Sequence, residues 1–342
     1  MLGAFLGQTP GLLDRRFLLH VLLPSLGFCL SVAVVLAGSG LNVGQALRTW
    51  DGMTGSARAL AGLALLLAAC LVASVLSGCR MAICRLFEGY WTGRAAGAAL
   101  RHGVAWHRRR CDALHRVPAS RDGALSRYPL PTRPEDFRPT RLGNVLRSAE
   151  QYPQVRYSMD AVLVWPRLYQ ILPDRMTATL AAARADLDAG LGLSVLCLLF
   201  GVVGAAEVLW EQGPWSWFLL LWWGGCFTAY LSYRSALAGA HVYAQHVRVA
   251  FDLHRYDLVR QLGDEPPSSP EAERDYWYRL CQFWHRGIPR DHVQLPAATE
   301  SPVPVPAPPP DYTLRIPLPV SGYFWTLTTA LGVAGAVALG LY

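Results

Sequence analysis

Residues 187–233 read LDAGLGLSVLCLLFGVVGAAEVLWEQGPWSWFLLLWWGGCFTAYLSY. Two apolar runs, about Leu187 to Trp210 and Trp215 to Tyr233, flank Glu211-Gln212-Gly213-Pro214. A bilayer core about 30 Å thick takes roughly 20 apolar residues in helical form, and each run approaches that length. A four-residue turn holding Gly and Pro is too short for anything but a helical hairpin. Trp210, Trp215, Trp217, Trp222 and Trp223 gather around the turn, as amphipathic rings do at headgroup level.

Three further apolar blocks stand outside this stretch. The first, about Phe17 to Gly38, follows Arg15 and Arg16. A signal peptide shares those features, but the block is long for one and no convincing small-residue cleavage site follows, which favours a true span. The second runs from about Ala59 to Ile83, and the last from Val320 to Tyr342. Only 16% of the 342 residues are charged, where soluble domains carry about a quarter. The expectation is an all-α, polytopic helical membrane protein with four or five transmembrane helices and helical cytoplasmic extensions.

The chain divides accordingly into an N-terminal transmembrane pair (1–93), an arginine-rich region (94–186), the hairpin (187–233), a second helical region (234–295), a proline-rich tether (296–319) and a final span (320–342). In the arginine-rich region a helix is predicted from Arg94 to Arg116. Helical patterning resumes near Arg141, with Pro153, Pro166 and Pro173 as interruptions. In the second region a helix continuous with the fourth block should end at Gly263, and another should start at Ser269-Pro270-Glu271.

Orientation follows the arginines, because lysine is absent. The segment 80–187 holds 18 arginines against nine acids, a balance of +9 that exceeds the +7 of the whole chain. The loop between the first two blocks holds only Arg48 and Arg58. The positive-inside rule then places the N-terminus and both polar regions in the cytoplasm, with the protein in the plasma (inner) membrane of a bacterial cell. The eight cysteines show no C-x-x-C spacing and no pairing with histidines at zinc spacing.

The two predicted inner helices share a pattern, H-x-x-A-x-H-x-R-x-x-x-x-L-H-R, at 102–116 and 241–255. Duplication and chance similarity both account for it. Steps of seven nearly realign on a helix, so His102, Arg109 and Arg116 form one stripe, and Arg234, His241, Arg248 and Arg255 another. The histidines of one helix point apart and cannot converge on a metal. Beside the second stripe, Val242, Val249, Leu253 and Tyr256 line up as an apolar one. The cationic stripes suit a solvated or headgroup-facing surface, an anion or ligand site, or ion pairing between subunits.

Arg141-Leu142-Gly143-Asn144-Val145-Leu146-Arg147 with Ala149-Glu150, and Trp165-Pro166-Arg167-Leu168-Tyr169 with Leu172-Pro173, resemble a pattern of uncharacterised multipass membrane proteins of actinobacterial type. Phe251-Asp252-Leu253-His254-Arg255 with Asp257-Leu258 is similar to another part of it. The likeness covers under a fifth of the chain and implies a membrane protein without an established activity. Arg141, Asn144, Glu150, Trp165 and Arg167 are the polar and aromatic positions within it to probe first. Arg147 and Glu150, three apart, can also simply pair along a helix.

No phosphate loop, zinc-protease, nucleophile-elbow or dinucleotide motif occurs. Neither catalysis nor a cofactor is expected, although an enzyme acting at the membrane surface is the third reading. The first is an oligomeric membrane platform or ion-permeable pore controlled through the arginine-rich cytoplasmic part. The second is a non-transporting accessory or scaffold subunit. Expected partners are the bilayer, further copies of the chain, and an acidic cytoplasmic protein or anionic lipid, with no nucleic acid. Small residues at Ala330, Ala334 and Ala338 of the last block would let helices approach closely.

Overall fold

The computed structural model describes residues 17–37, 43–91, 94–116, 126–130 and 134–292, and among these every regular element is helical. In chain order the helices are α1 (Leu18–Ala37, its first turn π-helical), α2 (Val43–Gly52), α3 (Gly55–Glu88), α4 (Arg94–Arg116), α5 (Arg141–Tyr157), α6 (Ala161–Ile171), α7 (Asp174–Trp210), α8 (Trp215–Gln261) and α9 (Pro270–Arg286). They belong to two compact units. The apolar unit takes its described residues from Pro10–Cys84 and Ala185–Ala236, and the charged unit from Arg85–Arg184 and Leu237–Tyr312.

Three of the described helices, α1, α3 and α7, are long and apolar enough to cross a membrane. The block at 215–233 is helical too, but it opens the much longer α8 and is not one of the three. Its tryptophans, glycines and hydroxyls dilute the leucines that a spanning stretch relies on. The last block and the proline-rich tether lie outside the described residues.

In the apolar unit the predicted hairpin is the best-packed part. Glu211–Pro214 turns the chain, with Gly213 N–H donating to the Val208 carbonyl (2.8 Å). The helices then run close together where side chains are small. A Cβ on Gly190 would lie 2.8 Å from that of Ala236, and one on Gly225 would lie 2.6 Å from the Cα of Gly201. Ser194 and Ser232 donate across the gap to the carbonyls of Ala229 (3.0 Å) and Gly190 (2.8 Å). Close backbones joined by hydroxyls are how helices adhere where no hydrophobic force separates them from lipid. By contrast α3 buries only Ala69, Ala73 and Cys84.

The charged unit has a true core. Met159, Val164, Leu168, Leu172, Leu180, Phe251, Val259, Trp277 and Leu280 are buried together, contributed by α6, α9, the start of α7 and the end of α8. Local signals set the helix ends. Thr140, Asp160 and Ser269 accept from the first turns of α5, α6 and α9 (3.0, 2.9 and 3.1 Å), each cap contributing about 1 kcal/mol. Gly263 (φ 80°) and Gly287 (φ 68°) close α8 and α9 in the left-handed conformation that suits glycine.

One expectation fails here. Pro153 and Pro166 do not interrupt the chain but lie inside α5 and α6, both buried or half-buried. Each removes one backbone donor, and packing on the core outweighs that cost. Pro173 does stand at a boundary, after Leu172 in extended conformation (ψ 140°), the conformation proline imposes on its predecessor.

Candidate functional site

The charged unit is held by arginines and tyrosines meeting carboxylates across large sequence separations. Arg147 on α5 bonds Glu150 Oε2 (2.7 Å) and also Asp136. Gln151 donates to the same Asp136, which is buried. Further along, the Asp252 carboxylate of α8 accepts from Tyr152 (2.9 Å) and Tyr157 (2.7 Å). Burial, and then the bond to Asp252, push the Tyr157 phenol upward, so it stays a donor. Arg255 reaches Glu273 Oε1 on α9 (2.7 Å), whose other oxygen accepts from Tyr256 (3.0 Å). The same guanidinium lies over the rings of Tyr157 (4.5 Å) and Tyr256 (4.4 Å). At the end of the unit Asp264 takes Tyr276 (2.7 Å) and Arg290. These donors hold the Asp264 carboxyl below its ordinary range.

The α8 stripe is therefore no solvated face. Arg248 is buried (9% exposed), donating to the Ser126 carbonyl (3.1 Å) and to Ser148 Oγ (2.7 Å). His241 is pushed down to about 4 by burial, then by Arg127 and Arg248, and is neutral at physiological pH. Arg234 belongs to the apolar unit, with Nη1 3.5 Å from the Tyr230 hydroxyl. The neighbouring apolar stripe is divided: Val242 is 50% and Leu253 64% exposed, while Val249 and Tyr256 are half-buried. Ala244, Val247, Ala250, Phe251 and Leu258 supply the buried apolar face, and α5 and α9 supply the polar partners that let the arginines share it.

On α4 the outcome is reversed. The buried side is Gly103, His107, Cys111 and Leu114. A Cβ on Gly103 would sit 2.8 Å from the Pro139 carbonyl oxygen. His107 Nδ1 is 3.3 Å from the Tyr128 hydroxyl, and Cys111 packs with Tyr128 and Phe137. Burial, with Arg141 and Arg110 nearby, drives His107 down to about 3. Burial and Asp112 push the Cys111 thiol up to about 11, so it is no thiolate. Arg101, His102, Arg108, Arg109 and Arg116 are exposed on the other side.

The remaining candidates do not gather at one place. Asn144 is fully buried: its oxygen accepts from Arg138 N–H (2.9 Å), and its amide donates to the carbonyls of Arg138 (2.8 Å) and Thr140 (2.7 Å). It pins the corner that leads into α5. Glu150 is taken by Arg147, and Arg141 is half-buried near His107. Trp165 packs on Phe251 (5.6 Å between ring centres), while Arg167 lies over the Trp284 ring (4.1 Å). Sequence reasoning passed over Asp136, Tyr152, Tyr157, Ser148 and Glu273. Asp252, by contrast, lies in a stretch that the sequence pattern marks, Phe251–Arg255. Among the described residues no three His, Cys, Asp or Glu side chains are placed to hold a metal ion.

Comparison with known proteins adds no relative: no family model, no curated protein and no solved structure matches the chain.

Proposed function

We propose that the chain is an integral membrane platform: spans in the bilayer of the inner membrane carry a folded, charged helical unit on the cytoplasmic side, and copies of the chain associate. The arginine balance supports that orientation. In this reading the start of α8 and residues 320–342 complete the spans, and the platform acts by presenting surface to partners. The buried carboxylates Asp136 and Glu273, and half-buried Asp252, are occupied as structural ties, which favours a binding role over catalysis.

The observation that favours a platform over a pore is the fate of the hydroxyls in the apolar helices. Ser25 bonds the Val21 carbonyl (2.7 Å), Ser31 that of Gly27 (2.7 Å), Ser74 that of Cys70 (2.8 Å) and Thr228 that of Gly224 (2.8 Å). Ser194 and Ser232 bond carbonyls of the facing helix. Each of these hydroxyl protons is committed to a carbonyl of the protein, so none of them is offered as a donor to a water or anion in a path, which supports the platform reading. The test is reconstitution of the full chain into vesicles that hold a potassium gradient reported by a voltage-sensitive dye. The expected result is a gradient as durable as in empty vesicles. Dissipation that scales with protein content would replace the platform with a channel.

A further inference from the structure

We infer that the exposed arginine face of α4 binds the headgroups of anionic phospholipids, laying this helix along the membrane surface. The inference rests on α3 being a span, as proposed above.

Four observations converge. First, Arg101, Arg108, Arg109 and Arg116 are exposed on the side of α4 opposite Gly103, His107 and Cys111. The sole carboxylate of the helix is Asp112, so the face carries four cations against one anion. From Arg101 to Arg116 it extends about 22 Å at 1.5 Å per residue, long enough to meet several headgroups at once. Second, the rotation of α4 is fixed. The close approach of Gly103 to Pro139 and the His107–Tyr128 contact hold the opposite side inward, so the arginines cannot roll under. Third, the chain keeps the start of α4 close to the end of the proposed span. Arg94 follows Glu88, the last residue of α3, by six residues, a reach of at most about 20 Å even fully extended. Leu86 and Tyr90, where α3 ends, are both exposed, and apolar and aromatic side chains are the usual company of a headgroup region. Fourth, the cations of α8 are already neutralised or enclosed by Glu273, Ser148 and Ser126, whereas those of α4 are presented outward. Guanidinium forks suit phosphate diesters, and a cluster of arginines directly after a span is the usual signature of attraction to an anionic leaflet.

The experiment places the full chain in lipid nanodiscs of phosphatidylcholine alone, or of phosphatidylcholine mixed with phosphatidylglycerol, in a phosphate-free buffer. Amide hydrogen exchange is followed over residues 97–116. Nanodiscs expose both leaflets, so orientation in the cell does not enter. The expected result is roughly ten-fold slower exchange of α4 in anionic discs, reversed by high salt. Replacing all four arginines with glutamine should abolish the difference, and replacing them with lysine should retain most of it. Unchanged exchange over α9 shows that the variants are folded; should they unfold, the lipid and salt comparison on the natural chain decides alone. Equal exchange in both discs, with the protein firmly embedded, would overturn lipid docking and leave the membrane reading standing. Protection of α4 in neutral discs by inorganic phosphate would assign the face to a soluble anion instead. Loss of the chain from the discs under alkaline carbonate would remove the span itself, and this inference with it.

Discussion

Helices α4 and α8 carry the same fifteen-residue pattern and bury different faces of it, although Cys111 and Ala250, at equivalent positions, are both buried. His107 is buried in α4, while its counterpart His246 is only half-buried. Arg109 and Arg116 are exposed, while Arg248 and Arg255 are enclosed. The most telling pair is Gly103 and Val242: where α4 presses its backbone against Pro139, α8 presents an exposed valine. A pattern of residue types therefore does not choose the buried face. Neighbours do, by offering acceptors to the arginines of one stripe and leaving Arg109 and Arg116 of the other exposed.

The sharpest way to break this contrast is to remove one partner of an enclosed pair. Glu273→Ala leaves the half-buried Arg255 guanidinium without its acid, and Arg255→Ala leaves buried Glu273 uncompensated. Each should destabilise the charged unit by about 3 kcal/mol, since breaking a shielded pair typically costs 3–5. Arg116→Ala, the matching change on α4, should leave the unfolding midpoint in place. Thermal unfolding followed by circular dichroism in detergent distinguishes the two. Equal effects at Arg255 and Arg116 would mean that the contrast between the helices is illusory.

A smaller effect is expected at the backbone contact. Gly103→Val forces new atoms against Pro139 and should cost about 1–3 kcal/mol, as overpacking does. The reciprocal change Val242→Gly loses only helix propensity, about 1 kcal/mol or less. Denaturant midpoints for the two variants should therefore fall in that order; a Val242→Gly loss larger than that of Gly103→Val would reverse the assignment of faces.

Acid tests the same burial by another route. His107 and His241 are held neutral in the folded chain, near 3 and 4, whereas an unfolded histidine protonates near 6.5. The unfolded state then binds more protons below about pH 6.5, so stability is complete above that value and declines as pH falls toward the folded values. Each histidine contributes a slope of roughly 1 kcal/mol per pH unit in that window. His107→Gln should flatten the decline measured between pH 6.5 and 4. An unchanged slope in that variant would show that the ring is not enclosed as described.

Much of the helical frame was legible before the structure. The limits of α4, the Ser269 cap, the glycine stop at Gly263 and the hairpin turn all rest on short-range chemistry, which sequence records directly. The Arg147–Glu150 pair was visible for the same reason. Its second acid, Asp136, was not, because it stands eleven positions away across a separate turn. The surroundings of the α8 stripe stayed open in the sequence, which allowed a solvated face, an anion site or ion pairs. The partners that enclose Arg248 and Arg255 come from Ser126, α5 and α9, all distant in sequence. Prolines at 153 and 166 did mislead: a local penalty was visible, and the tertiary packing that outweighs it was not.

The Asp252 anchor also sets a timetable. Tyr152 and Tyr157 leave the ribosome 95–100 residues ahead of the carboxylate they bind. At about 5–20 residues per second, that interval is on the order of 5–20 s. Phe251, Trp277 and Leu280 come later than the α6 residues they cover, so the first half of the charged unit waits without its core while the hairpin is made. During those seconds α6 carries Val164 and Leu168 without the α8 and α9 residues that later bury them. Until residue 281 has emerged, the core of the charged unit cannot close.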